Sequence, residues 1–105
     1  MMRTLMIAAF ALAAVAARAV AAEPDGKALF TRECGICHLP GGTGTFMLGR
    51  RLGEANALLE TRRNLTAPYV KQVVRYGLNS MPRFTRAELP NGDLEAVTAY
   101  LTRAR

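Results

Sequence analysis

The sequence predicts an all-α fold of a single domain, and three observations predict it. Apolar residues recur at helical spacing in separate segments behind capping residues. No segment shows the strict alternation of a half-buried strand. Glycine and proline punctuate the chain at short intervals. The chain has 105 residues, 50% hydrophobic and 21% charged, which bounds it to one domain and excludes a disordered or low-complexity class. There is no internal repeat and no linker. Two cysteines and one histidine exclude both a multi-histidine metal site and a scaffold of several disulfides.

The first segment, residues 1–22, is predicted to be an address outside the fold. Met1 to Thr4 carries a positive charge on Arg3, Leu5 to Ala17 is uninterrupted apolar chain, and Arg18 to Ala22 is rich in small residues. That is the three-part layout of a secretory signal peptide, with cleavage expected after Ala21 or Ala22. An uncleaved membrane anchor would need about 20 apolar residues, and Arg18 interrupts the run too early. Residues 23–105 are therefore expected to be the working domain, exported to the periplasm. Loss of Arg3 and Arg18 lowers the formal charge of +6 by two. A chain this short buries a modest share of its surface and calls for reinforcement by a disulfide, a metal or a large apolar cofactor.

The helices follow in order. Asp25 is placed to cap a helix running through Leu29 and Phe30 towards Cys34. Leu39 to Gly49, glycine-rich and containing Pro40, is expected to be a loop. A short helix is expected over Glu54 to Thr61, with Ala55, Leu58 and Leu59 on one face. Thr66 is placed to cap the next helix, with Pro68 in its first turn, Tyr69, Val70, Val73 and Val74 at helical spacing, and Gly77 as its stop. Leu78 to Pro90 reads as irregular chain. Asn91-Gly92-Asp93 opens a last helix whose stripe is Leu94, Val97, Tyr100 and Leu101.

The chemistry is concentrated in Cys34-Gly35-Ile36-Cys37-His38, a C-x-x-C-H motif. This is the attachment signature of a c-type haem. Two cysteines three apart at a helix end project from one side, where each thiol can add to one vinyl group of the porphyrin. The next residue, His38, is then held against the iron as proximal ligand. One covalently attached haem c is the expected cofactor. The rival readings are weaker. A Cys34–Cys37 disulfide closes too short a loop to stabilise much. A thioredoxin-like pair wants a βαβ setting. A zinc site needs four ligands, and these residues supply three.

The iron then needs a sixth ligand or an open face. Met81, Met47, Lys27 and Lys71 are the candidates, and Met81 is the strongest. It lies far enough beyond His38 for the chain to wrap the ring edge. Pro82 stiffens it, and no apolar periodicity around it explains its presence. Met47 is expected to pack against the haem with Phe46 and Leu48. Ile36, Leu39, Leu52, Val73 and Val74 complete the candidate pocket wall. His38 and Met81 together would leave no open coordination site, which points to passage of single electrons.

With these residues in place the chain resembles a class I cytochrome c over essentially all of residues 23–105. The resemblance rests on Asp25-Gly26-x-x-Leu29-Phe30, the C-x-x-C-H motif, Ser80-Met81-Pro82 and the closing Ala99-Tyr100-Leu101. It implies short helices wrapped around one haem, with the first and last helices crossing so that Gly26 and Phe30 meet Tyr100. The stretch Val74-Arg75-Tyr76-Gly77 with Met81-Pro82 is also similar to the cytochrome subunits of flavocytochromes of the 4-cresol dehydrogenase type. Those subunits accept electrons from a flavoprotein oxidising a phenol. The chain departs from the family at one point. A Gly-Pro pair usually follows the haem motif, its proline carbonyl accepting a hydrogen bond from the axial imidazole. Here Gly44 is followed by Thr45; a backbone carbonyl is available at any residue, so the bond can survive, but the loop loses its stiffening ring.

The leading expectation is a freely moving periplasmic one-electron carrier, not itself an enzyme. The alternative is a dedicated electron-accepting subunit of a flavoprotein dehydrogenase. A haem sensor or peroxidase-like enzyme with an open distal side is a third reading, opposed by Met81-Pro82 and by the lack of a second histidine. The expected partners are a dehydrogenase as donor and a downstream redox protein as acceptor. Arg50-Arg51, Arg62-Arg63, Arg83 and Arg86 are candidate docking charges, with one of these or Arg75 left to pair with a haem propionate. Nucleic acid is excluded for an exported chain without aromatic-basic interleaving. A membrane is involved only if the first segment stays attached.

Overall fold

The computed structural model describes residues 23–103. The expected signal segment, residues 1–22, lies outside them. The described chain forms four α-helices: α1 (Gly26–His38), α2 (Thr43–Leu52), α3 (Ala67–Tyr76) and α4 (Asn91–Leu101). Two short 3₁₀ turns, Glu54–Asn56 and Leu59–Thr61, lie between α2 and α3. Among the described residues there is no strand, only an isolated bridge between Leu78 and Met81. None of the described helices is long and apolar enough to cross a membrane.

Local chemistry sets the helix ends. The Asp25 carboxylate accepts from the Lys27 and Ala28 N–H groups at 3.0 and 3.2 Å, satisfying two of the orphan donors of α1. Thr66 occupies the N-cap of α3 without a side-chain bond, and Pro68 sits in the first turn. Gly77 ends α3 with φ of 76°, a left-handed conformation that costs glycine nothing. α4 starts at Asn91 with Pro90 before it.

The core is the crossing of α1 and α4, closed by α3. Leu29, Phe30, Val70, Val74, Leu89, Leu94, Val97 and Leu101 form one buried cluster. Phe30 is fully buried, its ring 5.9 Å from that of Tyr100. Gly26 lies where the two helices touch. A Cβ there would overlap the Ala96 carbonyl and come within 2.9 Å of the Tyr100 Cβ. Gly26 and Phe30 thus meet Tyr100, as the resemblance implies. The Tyr100 hydroxyl donates to Glu60, tying the second 3₁₀ turn to α4. Lys71 on α3 pairs with Glu95 on α4 at 2.5 Å.

Two expectations are corrected. Leu39 to Gly49 is not a loop throughout. The chain turns at residues 39–42 and then forms α2. Glycine and threonine are poor helix formers, and tertiary contact overrides them here. A Cβ on Gly42 would overlap the Cys37 carbonyl, and one on Gly49 would lie 3.4 Å from the Ala57 Cβ. These glycines let α2 lie close to its neighbours. The expected helix over Glu54 to Thr61 is instead the pair of 3₁₀ turns, with Ala57 buried between them.

Candidate functional site

Helix α1 delivers the motif. Cys34, Cys37 and His38 fall in its last two turns, and His38 is its final residue. Both cysteines carry free thiols. Cys34 is half-buried against the core cluster. Burial, then the charges of Glu33 and Cys37, push its thiol up to about 11. A thiol so far above neutrality is not the activated thiolate of a redox pair. Among the described residues no group of three or more His, Cys, Asp or Glu side chains is placed to hold a metal ion.

His38 is buried, and that burial lowers its pKa, which favours the neutral imidazole able to bind iron. Its Nδ1 is buried with no hydrogen-bond partner among the described residues. The expected carbonyl acceptor is therefore not in place. Gly44 faces the ring instead: a Cβ there would lie 3.0 Å from Cε1 and 3.2 Å from Nδ1. The next residue, Thr45, turns its hydroxyl the other way. It donates to the Leu39 carbonyl at 2.9 Å, with the Cys37 carbonyl at 3.4 Å. The Thr43 hydroxyl donates to the Cys37 sulfur at 3.8 Å. The start of α2 is thus fastened to the residues on either side of His38.

Met81 is half-buried and packs against the same core cluster as Cys34. Its backbone is pinned in a tight turn, with Leu78 N–H to Met81 O at 3.1 Å and Met81 N–H to Leu78 O at 2.9 Å. The other candidates stand in other settings. Lys71 is held by Glu95. Lys27 stands at the other end of α1, about 16 Å of helix from His38 at about 1.5 Å per residue. Met47 is exposed on α2, the helix that lies on the Nδ1 side of the imidazole.

The residues present fit a covalently attached haem. Two unpaired thiols stand three residues apart beside a buried histidine whose burial lowers its pKa. Ile36, Phe46, Met47 and Leu52 are 87, 60, 56 and 41% exposed, apolar surface of the kind a large apolar cofactor covers. Leu39, Leu48 and Val73 are half-buried, whereas Val74 belongs to the core.

Short helices around a C-x-x-C-H motif, with a pinned methionine packed on the same core, define a small c-type cytochrome. Residues 21–101 match the family model described as cytochrome c oxidase, cbb3-type, subunit III. Over 79 residues the chain is 34% identical to the cytochrome c subunit of 4-cresol dehydrogenase [hydroxylating] from Pseudomonas putida. That alignment covers 74% of this chain and 58% of the relative, so the chain spans a little over half of the curated relative's length. Two crystal structures of p-cresol methylhydroxylase, one with substrate bound, superpose with a TM-score of 0.56 at 30% identity. They cover 79% of this chain and 96 and 97% of theirs. The chain belongs to the cytochrome c family, and its cofactor is haem c. Between the two leading expectations, these relatives favour the dedicated subunit over the freely moving carrier.

Sequence reasoning missed the Thr45 hydroxyl. It also missed the part played by Arg75, which donates to the Phe84 carbonyl at 3.2 Å and to Asn91 Oδ1 at 2.8 Å. No local pattern marks either contact, because each joins residues from separate segments.

Proposed function

We propose that this chain is the electron-accepting cytochrome subunit of an exported flavoprotein dehydrogenase of the 4-cresol dehydrogenase type. Cys34 and Cys37 hold the haem by thioether bonds, His38 is the proximal ligand and Met81 the distal one. Residues 1–22 direct export to the periplasm and are removed. The observation that carries the reading is the 34% identity to a cytochrome subunit of such a dehydrogenase. The haem supplies an iron that alternates between two valences one electron apart. The chain supplies fixed ligands: His38 at the end of a packed helix, and Met81 in a backbone-pinned turn. Side chains fixed in this way would rearrange little on a one-electron change of a bound haem, which suits electron transfer. Substrate oxidation belongs to the partner, so that the chain alone is not an enzyme.

The test is native purification from periplasmic extract, followed by addition of a phenolic substrate. Flavin absorbance should co-elute with haem, and the phenol should reduce the haem within that complex. Haem protein that elutes alone and is not reduced by phenol in the presence of the extract's flavoproteins would overturn the reading. A freely moving carrier is the second reading. The match over residues 21–101 to the family described as cytochrome c oxidase, cbb3-type, subunit III is compatible with it.

A further inference from the structure

We infer that Arg75 is a positioning residue for Met81: its guanidinium fastens the turn that carries the methionine to α3 and to α4 at once. Arg75 stands in the last turn of α3 and is half-buried. Its Nη1 donates to the Phe84 carbonyl at 3.2 Å, and its Nη2 to Asn91 Oδ1 at 2.8 Å. Phe84 lies three residues past Met81, and Asn91 is the first residue of α4. This role deepens the electron-accepting function and rests on Met81 as the sixth ligand.

The turn needs such a fastening. The paired bonds between Leu78 and Met81 fix its internal shape. They do not fix where it stands, because both partners belong to the turn and would move with it. On one side it is joined to Gly77, whose N–H donates to the Val73 carbonyl at 2.7 Å. A Cβ on Gly77 would lie 2.8 Å from the Met81 carbonyl, so the turn folds back over the end of α3. On the other side the chain leaves through Phe84. The Phe84 N–H donates to the Val74 carbonyl at 2.8 Å, and the Phe84 carbonyl accepts from Arg75. Two successive residues of α3 thus hold both backbone polar groups of Phe84, whose side chain packs on the core cluster as Met81 does. The Asn91 arm extends the hold to α4, which crosses α1, the helix that ends in His38.

The chemistry of the guanidinium suits this task. Its planar fork of donors can serve two acceptors from separate segments, whereas a lysine offers one nitrogen on a flexible stem. Both acceptors are neutral, and Arg75 has no ion pair among the described residues. Hydrogen bonds from a charged donor are stronger than those between neutral groups. Leu78, Asn79, Ser80, Pro82 and Arg83 are exposed, so little else holds the turn down. Loss of the guanidinium should therefore show as local opening of the turn, with release of the thioether, before it shows as unfolding.

The experiment follows cyanide binding to the oxidised, haem-loaded protein, where the added ligand must wait for Met81 to leave. The far-red absorption of methionine-bound ferric haem reports the ligand, and thermal unfolding reports the fold. Arg75→Leu removes both bonds and should speed cyanide binding about tenfold. Arg75→Lys keeps the charge but loses the fork, and should still bind cyanide at least about threefold faster than wild type. Asn91→Ala breaks one arm with Arg75 left in place, and should also give about threefold. The control is Tyr100→Phe, which removes the bond from α4 to Glu60 beside Gly26, at the far end of α1 from His38. It should lower the melting midpoint yet stay within about twofold of the wild-type cyanide rate.

A wild-type rate in Arg75→Lys would overturn the proposal, because charge alone would then suffice. A Tyr100→Phe rate as fast as that of Arg75→Leu would overturn it as well, because loss of any bond between segments would then open the turn. If Arg75→Leu does not fold, Asn91→Ala decides, and a wild-type rate there would overturn the proposal. Failure of the ligation itself is a separate result: the wild-type protein would lack the far-red absorption, and the proposal would fall with it.

Discussion

Gly26→Ala tests the α1–α4 crossing on which the placement of the haem motif depends. The added methyl would overlap the Ala96 carbonyl and approach the Tyr100 Cβ to 2.9 Å. Neither contact is the end of a flexible side chain, so one helix must shift. Overpacking of this kind costs about 1–3 kcal/mol. Alanine recovers at most about 1 kcal/mol of backbone entropy at a helical position, less at the first residue of a helix. The clash prevails, and a net loss of about 1–2 kcal/mol is expected. For a domain of this size that lowers the melting midpoint by roughly 5–15 °C. The control is Gly92→Ala, in the first turn of α4, where a Cβ meets nothing within 4 Å. It should leave stability unchanged or raise it by up to about 1 kcal/mol. Thermal unfolding of the haem-loaded protein, followed by far-UV circular dichroism, measures both. Equal midpoints for the two variants would refute the close crossing.

Three further outcomes follow from particular contacts. Thr45→Val removes the hydroxyl that ties α2 to the Leu39 carbonyl. It should cost about 1 kcal/mol in denaturant unfolding and shift the reduction potential measured by spectroelectrochemistry; an unmoved potential would separate this contact from the proximal side. Glu88 accepts from the Thr85 N–H, its largest influence, which with the Thr85 side-chain bond and nearby Arg83 holds its pKa below the ordinary 4.5. A carboxylate depressed on folding contributes stability above its unfolded pKa and loses it as pH falls through the folded one. The melting midpoints of wild type and Glu88→Ala should therefore differ at pH 7 and converge below pH 4.5; a gap that persists in acid would reject the assignment. Met81→Ala keeps the backbone bridge to Leu78 but removes the thioether. Carbon monoxide should then bind the reduced protein and the potential should fall, whereas unchanged values would move the sixth ligand elsewhere.

Much of this fold is legible from local chemistry. Asp25 announces the start of α1, and Pro68 and Gly77 bracket α3, because caps and breakers act within a few residues. The stripe Leu94, Val97, Leu101 is the buried face of α4. Helix α2 was not legible. Thr43 to Leu52 has three residues of low helix propensity in its first turn, and it is helical because Gly42 and Gly44 fit against Cys37 and His38. That fit is visible only once the chain has folded. In the site, the C-x-x-C-H motif is local and speaks plainly. The pinning of Met81 by Leu78 could be suspected from Gly77 and Pro82. The Thr45 fastening and the fixed Arg75 could not, since they join segments 6 to 16 residues apart with no periodic trace. The choice between free carrier and dedicated subunit lies further still from the sequence, because it concerns another molecule's surface. It was the relatives that favoured one side.

The central claim is that a haem is bonded to this chain through both motif cysteines. Intact mass and thiol alkylation of the denatured protein test it together. The account predicts the polypeptide mass plus one haem, with neither Cys34 nor Cys37 open to alkylation. A polypeptide of unmodified mass, with both thiols alkylated after expression with a working haem-attachment system, would contradict it.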